Sequence, residues 1–349
     1  MPKQGRVGNM RIEAVDLFCG VGGLTAGLLM SGIKVKAGYD IESACRYAYE
    51  FNNQAVFVHK DVAEVTGEEI NQWYSKGAIK LLAGCAPCQP FSTYNQGKDT
   101  RQDKKWPLLY HFARLIKEVN PELVTMENVP DVIRHKVYHD FIQELEGMGY
   151  TIFAQEVACV DYGVPQTRRR HVVLASKIGA VELIKPSHQK PVTVKEVIAN
   201  LEPLKAGQKS TIDPLHTVAK LSELNFKRIK ASKPGGSWRD WPESLRAECH
   251  KKDSGKSYPS VYGRMEWDKP APTMTTLCYG FGNGRFGHPE QDRAISLREA
   301  ALFQTFPIGY QFVPNNHSIG FKSVGRMIGN AVPVRLGEVV GLSFMQHLR

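Results

Sequence analysis

Short apolar runs in the first half of the chain alternate with stretches in which apolar residues recur at helical spacing. The runs have strand length and predict β-strands at residues 12–18, 35–39, 56–59, 79–83, 123–127, 152–157 and 171–176. Helical spacing predicts helices at residues 23–31, 43–51 and 108–119. Such alternation is typical of an α/β fold with a largely parallel sheet and helices on both faces. Because ligands bind beyond the carboxyl ends of parallel strands, polar residues at those ends are candidate site residues.

The first strand end carries a glycine-rich turn, DLFCGVGGL at residues 16–24. Glycines there let the backbone approach a ligand closely, and an acidic residue about 20 positions later would accept hydrogen bonds from a ribose. Asp40, at the end of the second strand, is well placed for that role, and Asp61 follows the third strand. Either carboxylate could instead cap a helix or be solvated in a loop, and the turn alone is weak evidence.

Two cysteines, Cys85 and Cys88, follow the fourth predicted strand in the segment GCAPCQPFS at residues 84–92. Such pairs occur in zinc sites, in redox pairs and beside nucleophilic cysteines. The other cysteines stand alone in the sequence, so no metal site is expected. Pro87 and Pro90 bracket Cys88 and favour an extended or turning backbone, whereas a redox pair normally opens a helix. The pattern therefore favours a rigid loop that carries a thiol.

Charged residues end the fifth predicted strand and precede the last one. Glu127 closes the fifth strand, where a partly desolvated carboxyl group suits an acid role, although a solvated strand-end glutamate is the ordinary alternative. The segment QTRRR at residues 166–170 precedes the last strand, and such an arginine triplet is usually solvated. Strand alternation would send Arg168 and Arg170 to one side and Arg169 to the other. Further along, SLRE at residues 296–299 is a capping-box pattern that predicts a helix start with a structural role.

The overall composition is that of an ordinary soluble protein, since 42% of the 349 residues are hydrophobic. No apolar run approaches the roughly 18–20 residues needed to span a bilayer, and the first residues lack the apolar core of a signal peptide. Seven scattered cysteines suggest free thiols in a reducing compartment. We therefore expect a cytoplasmic protein that has no membrane partner.

The net charge of +10 is concentrated in the middle of the chain. Residues 186–269 contain 16 Lys and Arg against 10 Asp and Glu, whereas residues 1–185 contain 22 against 21 and residues 270–349 contain 7 against 4. The basic segment is rich in turn formers, and aromatic residues are interleaved among its cations, namely Trp238, Trp241, Tyr258 and Tyr262. The segment is therefore either a solvated surface insertion or a nucleic-acid-binding face.

Read in chain order, these motifs resemble the C5-cytosine DNA methyltransferase family. The resemblance rests on DLFCGVGGLTAGL, YDIE, the aspartate of HKDV, GCAPCQPFS, ENVP, QTRRRHVVLA and SVGRMIGNAVPVRLG, and it omits the basic middle. It implies a Rossmann-like methyltransferase domain that binds S-adenosylmethionine, with a smaller target-recognition domain inserted where the chain becomes basic. The implied division assigns residues 1–185 to catalysis, residues 186–275 to target recognition, and residues 276–349 to a return segment that completes the catalytic domain.

The resemblance also implies roles in the reaction. Cys88, and not Cys85, would be the nucleophile that adds to carbon 6 of cytosine and so delivers electron density to carbon 5. Glu127 would donate a proton or a hydrogen bond to ring nitrogen 3. Arg168, together with Arg170, would bind the cytosine carbonyl and hold the loop and the flipped nucleotide. Taking the base out of the duplex would open both faces of the ring.

For S-adenosylmethionine, the resemblance implies a pocket drawn from several strand ends. Asp40 would bind the ribose, Ile41 would cover one face of the adenine, and Asp61 would accept from its amino group. The remaining implied contacts are Phe18, Gly20, Gly22 and Gly23 for the methionine part, and Leu108, Asn330 and Val332 for closure of the pocket. Two positions depart from the family pattern: Ile41 replaces a large aromatic residue common in relatives, and Ala86 replaces a proline that is common before Pro87.

Several functions stay open at this point. The motifs favour an enzyme that methylates a cytosine in a specific double-stranded DNA sequence. We expect this enzyme to act as a monomer in the cytoplasm, where it would be associated with the nucleoid. A cognate restriction endonuclease is a further possible partner. A tRNA cytosine-5 methyltransferase would use the same residues, but the size of the insert favours a reader of duplex DNA. A non-catalytic DNA-binding regulator would have no use for a nucleophile, an acid and two cofactor carboxylates. A flavin or nicotinamide oxidoreductase would account for the glycine-rich turn alone.

Overall fold

A computed structural model describes residues 11–87, 107–253, 259–314, 317–318 and 320–349. These residues form two compact units. The first contains the chain up to Val157 together with Arg169–Lys185 and Val334–Arg349, and the second contains Ala158–Arg168 and Pro186–Pro333. The structure thus differs from the predicted division, in which the second domain ends at residue 275.

The first unit is built on one β-sheet with helices between its strands. The strands are β1 (Ile12–Leu17), β2 (Lys34–Asp40), β3 (Val56–His59), β4 (Ile79–Gly84), β5 (Leu123–Asn128), β6 (Thr151–Ala158) and β7 (Arg169–Ser176). The helices are α1 (Gly23–Met30), α2 (Arg46–Asn53), α3 (Gly67–Asn71), α4 (Pro107–Val119) and α5 (Lys136–Gly147). Over the described residues the strand order is β3-β2-β1-β4-β5-β7-β6. The pairs among β1 to β5 are parallel, and β7 runs antiparallel to β5.

The central strands form the core of this unit because apolar side chains project from both of their faces. Every residue of β1 and β5 is buried, as expected of strands covered on both sides. One large cluster joins these strands to α4 and α5, where the rings of Phe112 and Phe141 lie 5.6 Å apart. Burial of the strands fixes their register, so the positions of their carboxyl ends are fixed as well.

The last helix of the chain, α11 (Val334–His347), packs against α1 within the first unit. The two helix backbones approach closely because glycines lie at the contact. A Cβ atom placed on Gly27 would lie 2.2 Å from the carbonyl oxygen of Val334, and one placed on Gly337 would lie 2.8 Å from that of Leu24. Neither position therefore accommodates a larger residue without separation of the helices.

The second unit has short helices joined by long irregular segments. Its α-helices among the described residues are α6 (Val194–Ile198), α7 (Glu223–Ala231), α8 (Glu248–Lys251), α9 (Leu297–Phe303) and α10 (Phe321–Asn330). Helix α9 packs against both α6 and α10, which joins residues beyond 275 to the basic segment in one compact body. The predicted capping box opens α9, because Ser296 Oγ accepts from the backbone N–H of Glu299 at 3.0 Å and Glu299 Oε2 accepts from that of Ser296 at 2.7 Å.

The aromatic residues of the basic segment form a core. Trp238 and Trp241 are 4% and 2% exposed and pack with Ile229 and Phe281, and half-buried Tyr262 joins the same cluster. The two tryptophans are therefore mainly core residues and not exposed side chains, while Tyr258 lies outside the described residues. Aromatic and cationic residues alternate along this segment for a packing reason, since apolar rings need burial and the cations between them remain largely at the surface.

Like Arg264, which is 4% exposed, Arg228 is an exception among these cations. Its guanidinium lies over the rings of Trp241 and Tyr262, at 5.5 and 5.3 Å from their centroids, and its Nε donates to the carbonyl oxygen of Leu245 at 2.8 Å. Only 8% of the residue is exposed. Arg228 is thus a structural cation, whereas its neighbours Lys227 and Lys230 are exposed.

The α/β prediction is confirmed, and each predicted strand is present with bounds that agree to within two residues. The helices α3 and α5 were not predicted. No helix in the described part of the chain has the length and apolar character to cross a membrane. The same part of the chain contains no group of His, Cys, Asp and Glu side chains arranged to hold a metal ion.

Candidate active site

The turn between β1 and α1 has a backbone conformation that allows a ligand to approach it closely. Phe18, Gly20 and Gly22 have positive φ angles of 58°, 50° and 87°. The two glycines adopt this conformation readily, but Phe18 is strained in it, and such strain is typical of functional turns. A Cβ atom placed on Gly20 would have no atom within 4 Å, so the space beside this backbone is open. Gly23 follows as the first residue of α1.

Asp40 ties this turn to the end of β2. Its Oδ2 accepts from the N–H of Gly20 at 2.8 Å, and its Oδ1 accepts from the N–H of Glu42 at 2.8 Å. Burial raises the pKa of Asp40, against the effect of these backbone donors. A carboxylate offers about four acceptor sites, so two ribose hydroxyls can still be accommodated.

Ile41 and Asp61 lie at the neighbouring strand ends. Ile41 is 66% exposed, a high value for an aliphatic side chain that follows a buried strand. Its carbonyl oxygen lies 2.9 Å from His59 Nε2, at the end of β3. Asp61 Oδ1 accepts from the N–H of Ala63 at 2.9 Å, so this carboxylate does cap a short 3-10 helix. Capping occupies one oxygen and leaves acceptor capacity on the carboxylate for an amino group.

A buried polar network that the sequence did not reveal lies under the turn. Thr25 donates to Asp16 Oδ2 at 2.7 Å, and its hydroxyl lies 3.1 Å from that of Tyr49. Asp16 Oδ1 has no hydrogen-bond partner among the described residues. Burial raises the pKa of Asp16 to about 7, opposed by the hydrogen bond from Thr25. A buried carboxyl group that titrates near neutral pH therefore supports the base of the glycine-rich turn.

Glu127, at the end of β5, lies between a cation and a thiol. The Nε of Arg170 is 2.7 Å from Glu127 Oε1, and both side chains are largely buried. The pair is an ion contact without hydrogen-bond alignment, since Oε1 has no hydrogen-bond donor in the described structure. On the other side, Cys85 Sγ donates to Oε2 at 2.8 Å. The structure thus places Arg170 and Cys85 on either side of Glu127, and Cys85 had been given no role.

The loop that carries the predicted nucleophile leaves β4 beside this cluster. Asn128 Nδ2 donates to the carbonyl oxygen of Ala86 at 3.3 Å, which ties the end of β5 to the loop after β4. Cys88 itself lies outside the described residues, which resume at Pro107. Leu108 lies in the first turn of α4 and is half-buried.

Arg168, Asn330 and Val332 belong to the second unit. Arg168 is 3% exposed, and its guanidinium donates to the carbonyl oxygens of Met274 at 3.0 Å and Ala331 at 3.5 Å. It therefore holds the turn that contains Asn330 and Val332, of which the first is exposed and the second buried. Arg169 is exposed and pairs with Glu156, whereas Arg168 is buried and Arg170 is half-buried.

Gln166 is a further residue of the second unit that had no predicted function of its own. Its Nε2 donates to the carbonyl oxygen of Phe303 and to Gln304 Oε1, both at 2.7 Å, and its Oε1 accepts from the N–H of Met274 at 2.9 Å. The residue is fully buried and fastens the segment that precedes β7 to α9. The sequence places this glutamine in the QTRRR motif but does not show that its side chain is buried.

The second unit also has an open cleft of about 420 Å³. The lining residues are Trp238, Arg239, Glu243, Arg246, His250 and Lys251. Its lining includes three cationic side chains and one carboxylate, while the ring of Trp238 stacks on that of His250 at 4.3 Å. His250 is 7% exposed, and its Nδ1 has no hydrogen-bond partner in the described structure. The chemistry of this cleft suits an anion.

The comparisons with known proteins agree with these features. The chain matches the sequence model of the C-5 cytosine-specific DNA methylase family over residues 12–346. It is 53% identical over 339 residues to the Type II methylase M.HgiDII of Herpetosiphon aurantiacus, covering 96% of this chain and 95% of that protein. It is 30% identical over 355 residues to the Type II methyltransferase M.Eco47II of Escherichia coli, with 99% and 82% covered.

The solved structures include one of a DNA modification methyltransferase encoded within an E. coli prophage. It is similar in fold to this chain, with a TM-score of 0.69 and 23% sequence identity, and the match covers 96% of this chain and 99% of that one. The sequence matches favour a DNA methyltransferase over a tRNA methyltransferase, a non-catalytic regulator or an oxidoreductase. The open cradle at Gly20 and the carboxylate of Asp40 fit the adenosine-containing methyl donor of such enzymes. The chain therefore belongs to the C-5 cytosine-specific DNA methylases, which transfer a methyl group from S-adenosylmethionine to carbon 5 of cytosine.

Proposed function

We propose that this protein methylates one cytosine within a specific double-stranded DNA sequence, and that Cys88 is the covalent nucleophile. The observation that carries the proposal is the cluster at the end of β5. There Glu127 is 6% exposed, lies in contact with Arg170, and is followed by a residue that fastens the loop leading to Cys88. Attack on the unreactive cytosine ring requires a nucleophile and a nearby acid. The buried carboxyl group of Glu127, close to the start of the loop that leads to Cys88, suits the second role.

The chemistry of cytosine explains why these groups are needed. Carbon 5 of cytosine is a poor nucleophile, but addition of the Cys88 thiolate to carbon 6 moves electron density to carbon 5. Negative charge then develops toward ring nitrogen 3, where Glu127 donates a proton or a hydrogen bond. S-adenosylmethionine supplies the methyl group. Loss of the carbon 5 proton then allows the thiolate to leave, which regenerates Cys88 and releases 5-methylcytosine.

The arginines complete the recognition of the base in this scheme. Arg170 holds Glu127 in place through its 2.7 Å contact with Oε1. Arg168 binds the cytosine carbonyl and retains its hold on the turn at Ala331. Because each guanidinium carries several fixed donors, one arginine can keep a backbone carbonyl and contact a substrate at the same time.

The methyl donor is held by residues of the strand ends. In our proposal Phe18 and the glycines of the turn, namely Gly20, Gly22 and Gly23, line its methionine part. Asp40 binds the ribose, Ile41 covers one face of the adenine, and Asp61 accepts from its amino group. The 66% exposure of Ile41 supports this role, because a bound purine would cover that apolar side chain. Leu108, Asn330 and Val332 complete our assignment of residues that contact the methyl donor.

We assign target recognition to the basic segment within the second unit. Flipping a base costs a few kcal/mol, which phosphate and groove contacts must offset. The cleft lined by Arg239, Arg246 and Lys251 supports this assignment, as do the exposed lysines of α7. Contacts of this kind to the DNA backbone supply affinity for any sequence, while contacts to base edges select the site.

The DNA substrate indicates where the enzyme acts and with which partner. We propose that the enzyme acts as a monomer in the cytoplasm, where it is associated with the nucleoid. The Type II names of its relatives are the reason to propose a cognate restriction endonuclease as a partner. Methylation of one strand position would then protect host DNA from that nuclease.

The proposal is tested by trapping the covalent intermediate. Fluorine at carbon 5 of the target cytosine permits attack and methyl transfer but cannot leave as a cation, so the enzyme should remain joined to the DNA through denaturing electrophoresis. The adduct should require S-adenosylmethionine and should be lost in Cys88→Ser, because a serine hydroxyl is barely ionised near neutral pH. Bisulfite sequencing of treated DNA identifies the target sequence.

Cys85→Ser is the matched control and should retain the adduct. An adduct that survives in Cys88→Ser and disappears in Cys85→Ser would assign the nucleophile to the other thiol. Methylation of DNA without any trapped adduct would remove the covalent mechanism.

A further inference from the structure

We propose that Cys85 is a positioning residue for Glu127, and that its thiol holds the carboxylate in the orientation that the reaction uses. The inference rests on the proposed role of Glu127. It assigns a function to a cysteine that is distinct from the nucleophile and precedes it by three positions.

The sheet places the two residues side by side. In the parallel pair of β4 and β5, Gly84 is aligned with Met126, so the next residues along the strands are Cys85 and Glu127. The N–H of Cys85 donates to the carbonyl oxygen of Leu17 at 3.3 Å, which holds its backbone to the neighbouring β1. The thiol is therefore presented to Glu127 from a fixed position, and its Sγ lies 2.8 Å from Oε2.

The Glu127 carboxylate needs such a contact because its other partner, Arg170, contacts only one of its two oxygens. Arg170 lies 2.7 Å from Oε1 without hydrogen-bond alignment. The Cys85 thiol is the hydrogen-bond donor to Oε2 that the described residues provide. A glutamate has three side-chain torsions, and a charge-assisted hydrogen bond on the second oxygen restricts rotation of the carboxylate plane. Without it, the group would be free to rotate about the end of its side chain.

If Cys85 served only to fill space, a different set of substitutions at this position would be tolerated. Cysteine often serves as a small apolar filler, and valine would then replace it well. In our proposal the essential property is the polar hydrogen, so serine should replace it and valine should not. Cys85→Ser, Cys85→Val and Cys85→Ala therefore separate the two roles.

The test is single-turnover methylation of duplex DNA by the full chain, with tritiated S-adenosylmethionine. Cys85→Ala and Cys85→Val should lower the methyl-transfer rate about 10- to 100-fold, the loss expected for one hydrogen bond to a charged group. The Kd values for DNA and S-adenosylmethionine should stay within about threefold of those of the unsubstituted protein. Cys85→Ser should recover most of the rate, and Cys249→Ala, at an exposed cysteine of the second unit, should have no effect.

A double-mutant cycle decides whether Cys85 acts through Glu127. In a Glu127→Ala background, which has no carboxylate to position, Cys85→Ala should change the remaining rate less than threefold. An equal loss in both backgrounds, or full activity in Cys85→Val, would overturn the proposal. Absence of DNA methylation by the unsubstituted protein would instead overturn the proposed function, and the inference with it. Melting temperatures of all variants distinguish a slower reaction from a loss of folded protein.

Discussion

At the scale of single residues, Asp40 accepts hydrogen bonds from two backbone N–H groups and is the residue expected to bind the ribose. Asp40→Ala should weaken binding of S-adenosylmethionine by about 1–3 kcal/mol, because it removes an acceptor from a largely buried site. Isothermal titration calorimetry measures this change. S-adenosylmethionine, and not NADH, should raise the melting temperature of the unsubstituted protein. Unchanged affinity in a folded Asp40→Ala protein would refute the assignment.

The carboxyl group of Asp16 makes stability depend on pH. Its pKa is raised to about 7 by burial, whereas in the unfolded chain it has its ordinary value near 3.8. The folded state therefore holds a proton that the unfolded state releases, and the free energy of unfolding should fall as pH rises from about 4 to 7. The slope from this group is on the order of 1 kcal/mol per pH unit within that window.

Asp16→Asn should remove this slope, because an amide oxygen can still accept from Thr25 and carries no charge. Urea unfolding at pH 5, 6, 7 and 8 should show the variant gaining stability relative to the unsubstituted protein as pH rises. Asp268→Asn, at an exposed aspartate, serves as the control and should give a constant difference. A difference for Asp16→Asn that is also constant would show that Asp16 is ionised throughout this range.

Individual site residues differ in how well a sequence reveals them. Glu127 and Arg170 were predicted because their motifs are specific, and the structure brings them into contact. Cys85 was passed over because its role depends on the register between β4 and β5, which single-chain patterns do not specify. The sequence around Arg228 gives no sign of the two rings that cover its guanidinium.

At the scale of elements, helix α7 carries two exposed lysines, to which we assign DNA binding, and the buried Arg228, which supports the fold. Lys227→Gln with Lys230→Gln should weaken binding to duplex DNA of any sequence and reduce the slope of log K against log salt by up to about 2, since each lost phosphate contact removes about 0.9. Both lysines are exposed, so the melting temperature should not change. Fluorescence anisotropy across a salt series measures the slope.

Arg228→Gln is the contrasting variant on the same helix. It should lower the melting temperature, because the buried guanidinium stacks on Trp241 and donates to Leu245. An unchanged salt slope in the double lysine variant would place the DNA-binding surface elsewhere in the second unit. Normal stability of Arg228→Gln would contradict the structural role of that cation.

The elements of the first unit were predictable because its strands contain short, mainly apolar runs and polar turns separate them. β1 and β5, both fully buried, are examples. The second unit was less predictable, since α6 and α8 have only five and four residues and are too short for a helical period. Its extent beyond residue 275 depends on the packing of α9 against α6, which is a long-range contact.

At the scale of the whole molecule, the contact between α1 and α11 links segments from the two ends of the chain. Gly27→Ala should lower the free energy of unfolding by about 1–3 kcal/mol, because its new methyl group would meet backbone atoms of α11 and the helices must separate. Chemical denaturation measures the change. Gly147→Ala is the matched control, since a Cβ there has no atom within 4 Å and the substitution should be neutral or slightly stabilising. Equal effects of the two variants would mean that α1 and α11 are not in tight contact.

The place of α11 has a consequence for how the protein is made. Ribosomes synthesise α1 early and α11 only after all of the second unit, yet α1 packs against α11 through glycine backbones. During that interval the nascent chain exposes the apolar surface of α1, which a chaperone could cover. The glycine-rich turn leads into the amino end of α1, so this turn acquires the support of α11 only when α11 has left the ribosome. A partly translated chain that stops before residue 334 should therefore be inactive.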